Sequence, residues 1–121
     1  MDKIFQEIEM RRNAKVDVNQ NEIVKQLRKI PRMTVAHTHM VGSGFPDIVV
    51  GYCGINFLFE IKTDSKKKLT PFEDSFMDKW NGQYYVVTDA IGVFGEISRY
   101  IKGANRKNLI GYVKVFWDVQ L

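Results

Sequence analysis

One stretch, GFPDIVVGYCGINFLFEIKT, constrains the fold more than any other part of the chain. It holds two apolar, β-rich runs, Asp47–Val50 and Ile55–Ile61, joined through Gly51 to Gly54. Runs this short, flanked by glycine and rich in β-branched and aromatic residues, read as a β-hairpin rather than as helix. Side chains alternate between the two faces of a strand. Leu58, Glu60 and Lys62 therefore share one face, and Phe57, Phe59 and Ile61 share the other. The hairpin returns Asp47, just after Pro46, to the end of the strand that carries Glu60 and Lys62. Two carboxyl groups and an ammonium group thus meet where two apolar strands end.

The rest of the chain reads as a mixed α/β pattern. Residues 3–12 carry an apolar stripe of Ile4, Phe5 and Ile8, which predicts a first helix, broken at 13–19. Asn19 has the character of an N-cap, and Glu22 three positions later completes a capping-box spacing. Ile23, Leu27 and Ile30 then extend a helix over 20–30, which Pro31 ends. Residues 33–40 have strand character, and Val41 to Gly44 form a turn. Thr70 caps a further helix, with Pro71 at its first position and Glu73 closing a second capping box. Phe72, Phe76, Met77 and Trp80 form its apolar face, of which Phe72, Phe76 and Trp80 read as core rather than as base-stacking residues, and Asn81-Gly82 stops it. Tyr84–Thr88 is a short strand. Asp89 caps a helix over 90–102 that ends at Gly103, residues 104–108 form a polar turn, and Gly111–Val119 alternates like a half-buried strand.

With 121 residues, this is one domain. The single cysteine, Cys53, rules out an intrachain disulfide and suits a reducing compartment. No Cys/His spacing points to structural zinc. The first residues, MDKIFQEIEMRR, carry acids and lack the continuous apolar core of a signal peptide. No apolar run approaches the roughly 18 residues a membrane span needs. A soluble, cytoplasmic protein is the expectation. The net charge of +4 permits a polyanionic partner without demanding one.

The chemistry rests on Asp47, Glu60 and Lys62. Converging carboxylates suit a hard cation such as Mg²⁺, which takes one or two of them beside water and phosphate oxygens. A neighbouring lysine can hold an attacking water or stabilise developing negative charge. A turn aspartate and an exposed Glu–Lys pair would also fit these residues, taken singly.

Pro46-Asp47, Glu60-x-Lys62, Leu69-Thr70-Pro71, Phe76, Trp80 and Gly82 fall in one order. In that order the chain resembles the PD-(D/E)xK nucleases, and more narrowly the small VRR-NUC-type nuclease domains of phage genomes. The resemblance covers roughly residues 15–95 and leaves 104–121 as a C-terminal strand extension. It implies a restriction-endonuclease-like mixed sheet flanked by helices, and an Mg²⁺- or Mn²⁺-dependent DNA endonuclease leaving 5′-phosphate and 3′-hydroxyl ends. It also implies that Asp47, Glu60 and the Ile61 carbonyl ligate the metal, that Lys62 is the catalytic lysine, and that Glu22 is the acid presented by the first core helix. Glu22 equally fits its cap. Related sequences often carry glutamine where this chain has Glu73, which reads here as a cap alone.

Around this centre, Lys66, Lys67 and Lys68 read as a solvated loop or as a track for a DNA backbone. Gly42-Ser43-Gly44 reads as a flexible turn or as a phosphate-approaching loop in which Ser43 contacts DNA. His37 and His39 face the same way, toward solvent or toward metal or phosphate. A nucleic-acid-binding module that cuts poorly alone, or a subunit of a helicase–nuclease assembly, are the alternatives to an autonomous nuclease. The apolar edge of the terminal strand points to a homodimer.

Overall fold

The computed structural model describes residues 20–62 and 68–117. The helix expected at 3–12 and the Asn19 cap lie outside those residues, as do Lys66 and Lys67. The described chain forms helix α1 (Gln20–Leu27), strands β1 (Thr34–His37), β2 (Ile48–Tyr52) and β3 (Ile55–Ile61), helix α2 (Pro71–Lys79), strand β4 (Tyr84–Val87), and helices α3 (Ala90–Ser98) and α4 (Gly103–Phe116). The four strands make one mixed sheet in the order β1-β2-β3-β4. The first two pairings are antiparallel and β3 runs parallel to β4. A parallel neighbour requires a crossover, and α2 supplies it.

The hairpin is tighter than its glycines imply. Tyr52 pairs with Ile55, so β2 runs through Gly51 and only Cys53-Gly54 turn. Both turn residues have positive φ, 53° and 78°, as a two-residue type I′ connection between twisted strands requires. α1 is shorter than 20–30. Lys29 and Ile30 donate three residues back, to Gln26 and Leu27, tightening the helix into turns before Pro31.

Phe57, Phe59, Ile48 and Val50 project from one face of the sheet into the core. There they meet Ile23, Val24 and Leu27 of α1 and Ile91, Phe94 and Ile97 of α3, with Leu109 and Val113 of α4. α3 is buried over almost its whole length. That suits its near-absence of charge and the close approach its two glycines permit. The opposite face of the sheet, bearing Asp47, Val49, Leu58, Glu60 and Tyr84, has α2 over it, and α2 itself buries no residue. One face of the sheet makes the fold; the other is left for a site.

Three expectations fail here. The strand expected over Gly111–Val119 is not formed by its described part, residues 111–117, because Gly103–Phe116 is one continuous helix that includes the expected turn at 104–108. Leu109, Val113 and Trp117 recur every four residues. Leu109 and Val113 are buried, and Trp117 sets its ring against Phe94 at 5.1 Å. That helical stripe outweighs the two-residue alternation of Tyr112 to Trp117. The strand edge behind the expected dimer is therefore absent. The helix over 90–102 ends at Ser98, where Ile101 folds back into the core, and Gly103 opens α4 instead of closing α3. Phe72 and Trp80, read as core, stand 72% and 41% exposed.

Candidate active site

Sheet register brings the sequence-predicted carboxyls together. Ile48 pairs with Phe59, so Asp47, one step earlier, stands opposite Glu60 on the same face. The Ile61 amide donates to Asp47 Oδ2 at 2.8 Å, locking that carboxylate against the end of β3. Ile61 thus enters the site first through its N–H. Glu60 is 3% exposed. As a carboxylate, its Oε2 has no hydrogen-bond partner among the described residues. Burial, then a hydrogen bond shared with Glu73 and the charge of Asp47, pushes the Glu60 carboxyl up to about 9. The shift favours the protonated carboxyl, which can donate to its carboxylate neighbour Glu73.

Lys62 bridges this pair to α2. Its Nζ lies 2.9 Å from Glu73 Oε1, 3.3 Å from Oε2 and 3.7 Å from Glu60 Oε1. Burial pulls the ammonium down, but Glu73, Glu60 and Asp47 together outweigh it and raise Lys62 above its ordinary value. Lys62 is therefore a held cation and not a free base.

Glu73 is the residue that sequence reasoning set aside. It does complete the capping box, accepting from the Thr70 amide at 2.8 Å while Thr70 Oγ1 accepts from its own amide. The same carboxylate also grips Lys62. The hydrogen bond from Glu60, then the Thr70 amide and Lys62, hold it down to about 2 against the opposing effect of burial. In sequence, Glu73 shows only the spacing of a cap; its contact with Lys62 depends on bringing α2 to the end of β3.

Tyr84 is a second addition. It pairs with Leu58 and so lies on the Glu60 face, its ring 5.7 Å from that of Phe76. Its hydroxyl is buried without a hydrogen-bond partner among the described residues. Burial first, then the charges of Glu60, Glu73 and Asp47, raises this phenol well above its usual value.

The loop before Pro46 is built against α2. Gly42, Ser43 and Gly44 all have positive φ, 85°, 54° and 81°. A Cβ on Gly44 would stand 2.2 Å from the Phe72 carbonyl oxygen, so only glycine lets this loop dock on the first turn of α2. Ser43 is exposed and, with Phe72, Phe76, Lys79 and Trp80, lines a hollow of about 220 Å³.

Of the remaining candidates, Glu22 is exposed on the first turn of α1. From α1, Gln20 Nε2 lies 2.8 Å from His37 Nδ1 and 3.0 Å from His39 Nδ1, and 3.4 Å from the Asp47 carbonyl oxygen. The two imidazoles thus brace the loop that carries Asp47. Lys68 is exposed.

Comparisons with protein-family models, curated proteins and solved structures gave no match. Among the described residues no helix is long and apolar enough to cross a membrane. What the arrangement can do follows from its chemistry. It brings together carboxylate oxygens of the kind a hard cation takes and a fixed ammonium of the kind that meets an oxyanion. Among the described residues no group of three or more His, Cys, Asp or Glu side chains is assembled to hold a metal.

Proposed function

We propose that this chain is a metal-dependent phosphodiester hydrolase acting on DNA, of the PD-(D/E)xK type. The observation that carries the reading is Glu60. A carboxyl that is 3% exposed, with an orphaned oxygen, beside Asp47 and a fixed lysine, is costly to a fold and useful to a metal site. Asp47 and Glu60 would hold Mg²⁺ or Mn²⁺, with the Ile61 carbonyl as a further ligand. When bound, the ion supplies Lewis-acid polarisation of the phosphate and a lowered pKa for water.

The chain's own residues do the rest. Asp47, pinned by the Ile61 amide, fixes the depth at which a phosphate can approach. Lys62 stays charged and donates to the non-bridging phosphate oxygens, whose negative charge grows as water adds. Glu73 orients Lys62 from the other side and keeps it protonated. In the overall step the water oxygen bonds to phosphorus and the P–O3′ bond breaks. The water proton passes to solvent and the leaving oxygen takes one up. The Gly44 loop docks on the first turn of α2, and the exposed Ser43 and Lys68 would contact the DNA backbone.

The test is a panel of labelled duplex, single-stranded, flap and junction DNAs incubated with Mg²⁺ or Mn²⁺. Wild-type protein should cut at least one. Asp47→Asn and Glu60→Gln keep the local shape and should lose activity beyond the roughly 10–100-fold typical of residues that only support a ligand. Full activity in either variant overturns the site.

A further inference from the structure

We propose that the exposed aromatic row of α2 is a stacking surface for unpaired DNA bases, so that the substrate carries a single-stranded segment beside the scissile bond. This rests on the nuclease reading and names its substrate class.

Phe72, Phe76 and Trp80 recur every four residues and line one side of α2. Phe76 turns inward, its ring 5.3 Å from Phe45 and 5.7 Å from Tyr84. Trp80 stacks on it at 5.2 Å with planes 17° apart. The row is thus braced from behind and held rigid, while Phe72 stands 72% exposed at its end. A helix that needed these rings only for packing would bury them, yet α2 buries none of its residues.

Charge complementarity selects the occupant. At about 100° per residue, Asp74 and Asp78 fall on the arc of α2 away from Phe72. Ser75 and Lys79 fall beside it, and both line the hollow that Ser43 closes. The surface therefore combines flat apolar rings, hydroxyls and an ammonium, with Asp74 and Asp78 turned away and the Glu73 carboxylate, at its near end, held by Lys62 and the Thr70 amide. Single-stranded nucleic acid presents the matching set: base faces for the rings and phosphates for lysine. In a duplex those faces are covered by neighbouring bases. The row begins next to Glu73, which holds Lys62, and runs about 12 Å along the helix to Trp80. A strand lying on it would lead directly into the site.

The experiment uses the full chain in EDTA, so that binding is read without cleavage. A fluorescein-labelled oligothymidylate and a hairpin duplex are titrated by anisotropy. Tryptophan emission is followed in parallel, and metal-dependent cleavage is scored separately on the same preparations. The single strand should bind with quenching of Trp80. Phe72→Ala should weaken it by about tenfold or more, Phe72→Tyr should restore it, and Asp78→Ala on the far arc should leave it unchanged. Duplex affinity should not respond to Phe72→Ala. Cleavage together with unaltered single-strand affinity in Phe72→Ala overturns this inference and leaves the nuclease reading standing. Phe72-dependent binding with no cleavage of any DNA supports the stacking surface and overturns the nuclease reading. A wild-type dimer that becomes monomeric in Phe72→Ala, with single-strand affinity unaltered, assigns the row to a second copy of the chain and overturns the inference.

Discussion

Lys62 and Glu73 close a 2.9 Å salt bridge between the end of β3 and the first turn of α2. The partner that orients the proposed catalytic lysine is thus also the residue that caps a helix. Glu73 accepts from the Thr70 amide with the same oxygen, Oε1, that meets Lys62.

Glu73→Gln separates these two roles. Glutamine keeps the capping box and removes the negative charge. Stability should change by less than the roughly 1 kcal/mol that a lost cap costs. DNA affinity should rise several-fold, by about the attraction that one fewer carboxylate near a phosphate restores at low salt. Thermal unfolding and anisotropy titrations at two salt concentrations check both. Unchanged affinity would mean that Glu73 does not face the substrate.

The Glu60–Glu73 pair predicts a stability maximum with pH. Glu60, raised to about 9, keeps a proton when folded that it loses from about 4.5 upward when unfolded. Its contribution therefore falls as pH rises through that window. Glu73, lowered to about 2, is charged in the folded protein down to that pH. Its contribution is present above about 4.5 and is lost as pH falls toward 2. The two titrate as a pair. Together they favour the folded state most near pH 4–5. Melting curves from about pH 3 to pH 10 in EDTA should show Glu60→Gln flattening the alkaline limb and Glu73→Gln the acid limb.

If the proposed site holds a metal through the Glu60 carboxylate, proton release from Glu60 sets its affinity. A cation that binds its carboxylate must displace the proton, so Mg²⁺ or Mn²⁺ affinity should rise about tenfold per pH unit between pH 6 and 8. Calorimetry in buffers of different ionisation enthalpy reads the released proton. Pocket chemistry without Glu60 would give a flat profile.

Gly44→Ala and Gly42→Ala separate backbone strain from contact. Both positions have positive φ, and a Cβ on Gly42 meets nothing within 4 Å. Gly42→Ala should cost roughly 1–3 kcal/mol of stability from its backbone conformation. Gly44→Ala adds a collision with the Phe72 backbone. It should cost more and also lower activity by displacing α2 and Glu73. Denaturant unfolding and cleavage assays on the pair decide. Equal losses would show that the loop does not dock on α2.

Asp47→Ala should destabilise as well as inactivate, because it strips the acceptor from the Ile61 amide. A part-buried N–H left unpaired costs about 1–3 kcal/mol. Asp47→Asn, which retains an acceptor, should unfold close to wild type. A difference in unfolding midpoint between the two variants is the measurement. Equal stabilities would show that the 2.8 Å bond contributes little.

Local chemistry alone determined much of this protein. Alternation along Ile55–Lys62 put Glu60 and Lys62 on one face, and the Cys53-Gly54 turn made the hairpin that returns Asp47. Thr70, Pro71 and Glu73 marked the start of α2, because caps act within one helical turn. Tertiary structure decided what depends on distant partners. Residues 111–117 satisfy both a two-residue and a four-residue repeat, and only Phe94 waiting for Trp117 selects the helix. The parallel pairing of β3 with β4 alone places Tyr84 beside Leu58 on the Glu60 face, since register is a property of two strands. Whether Phe72 is core or surface turns on what packs against α2, which no spacing within the helix records. For the same reason Glu73 reads as a cap in sequence and becomes the anchor of Lys62 only when β3 and α2 are brought together.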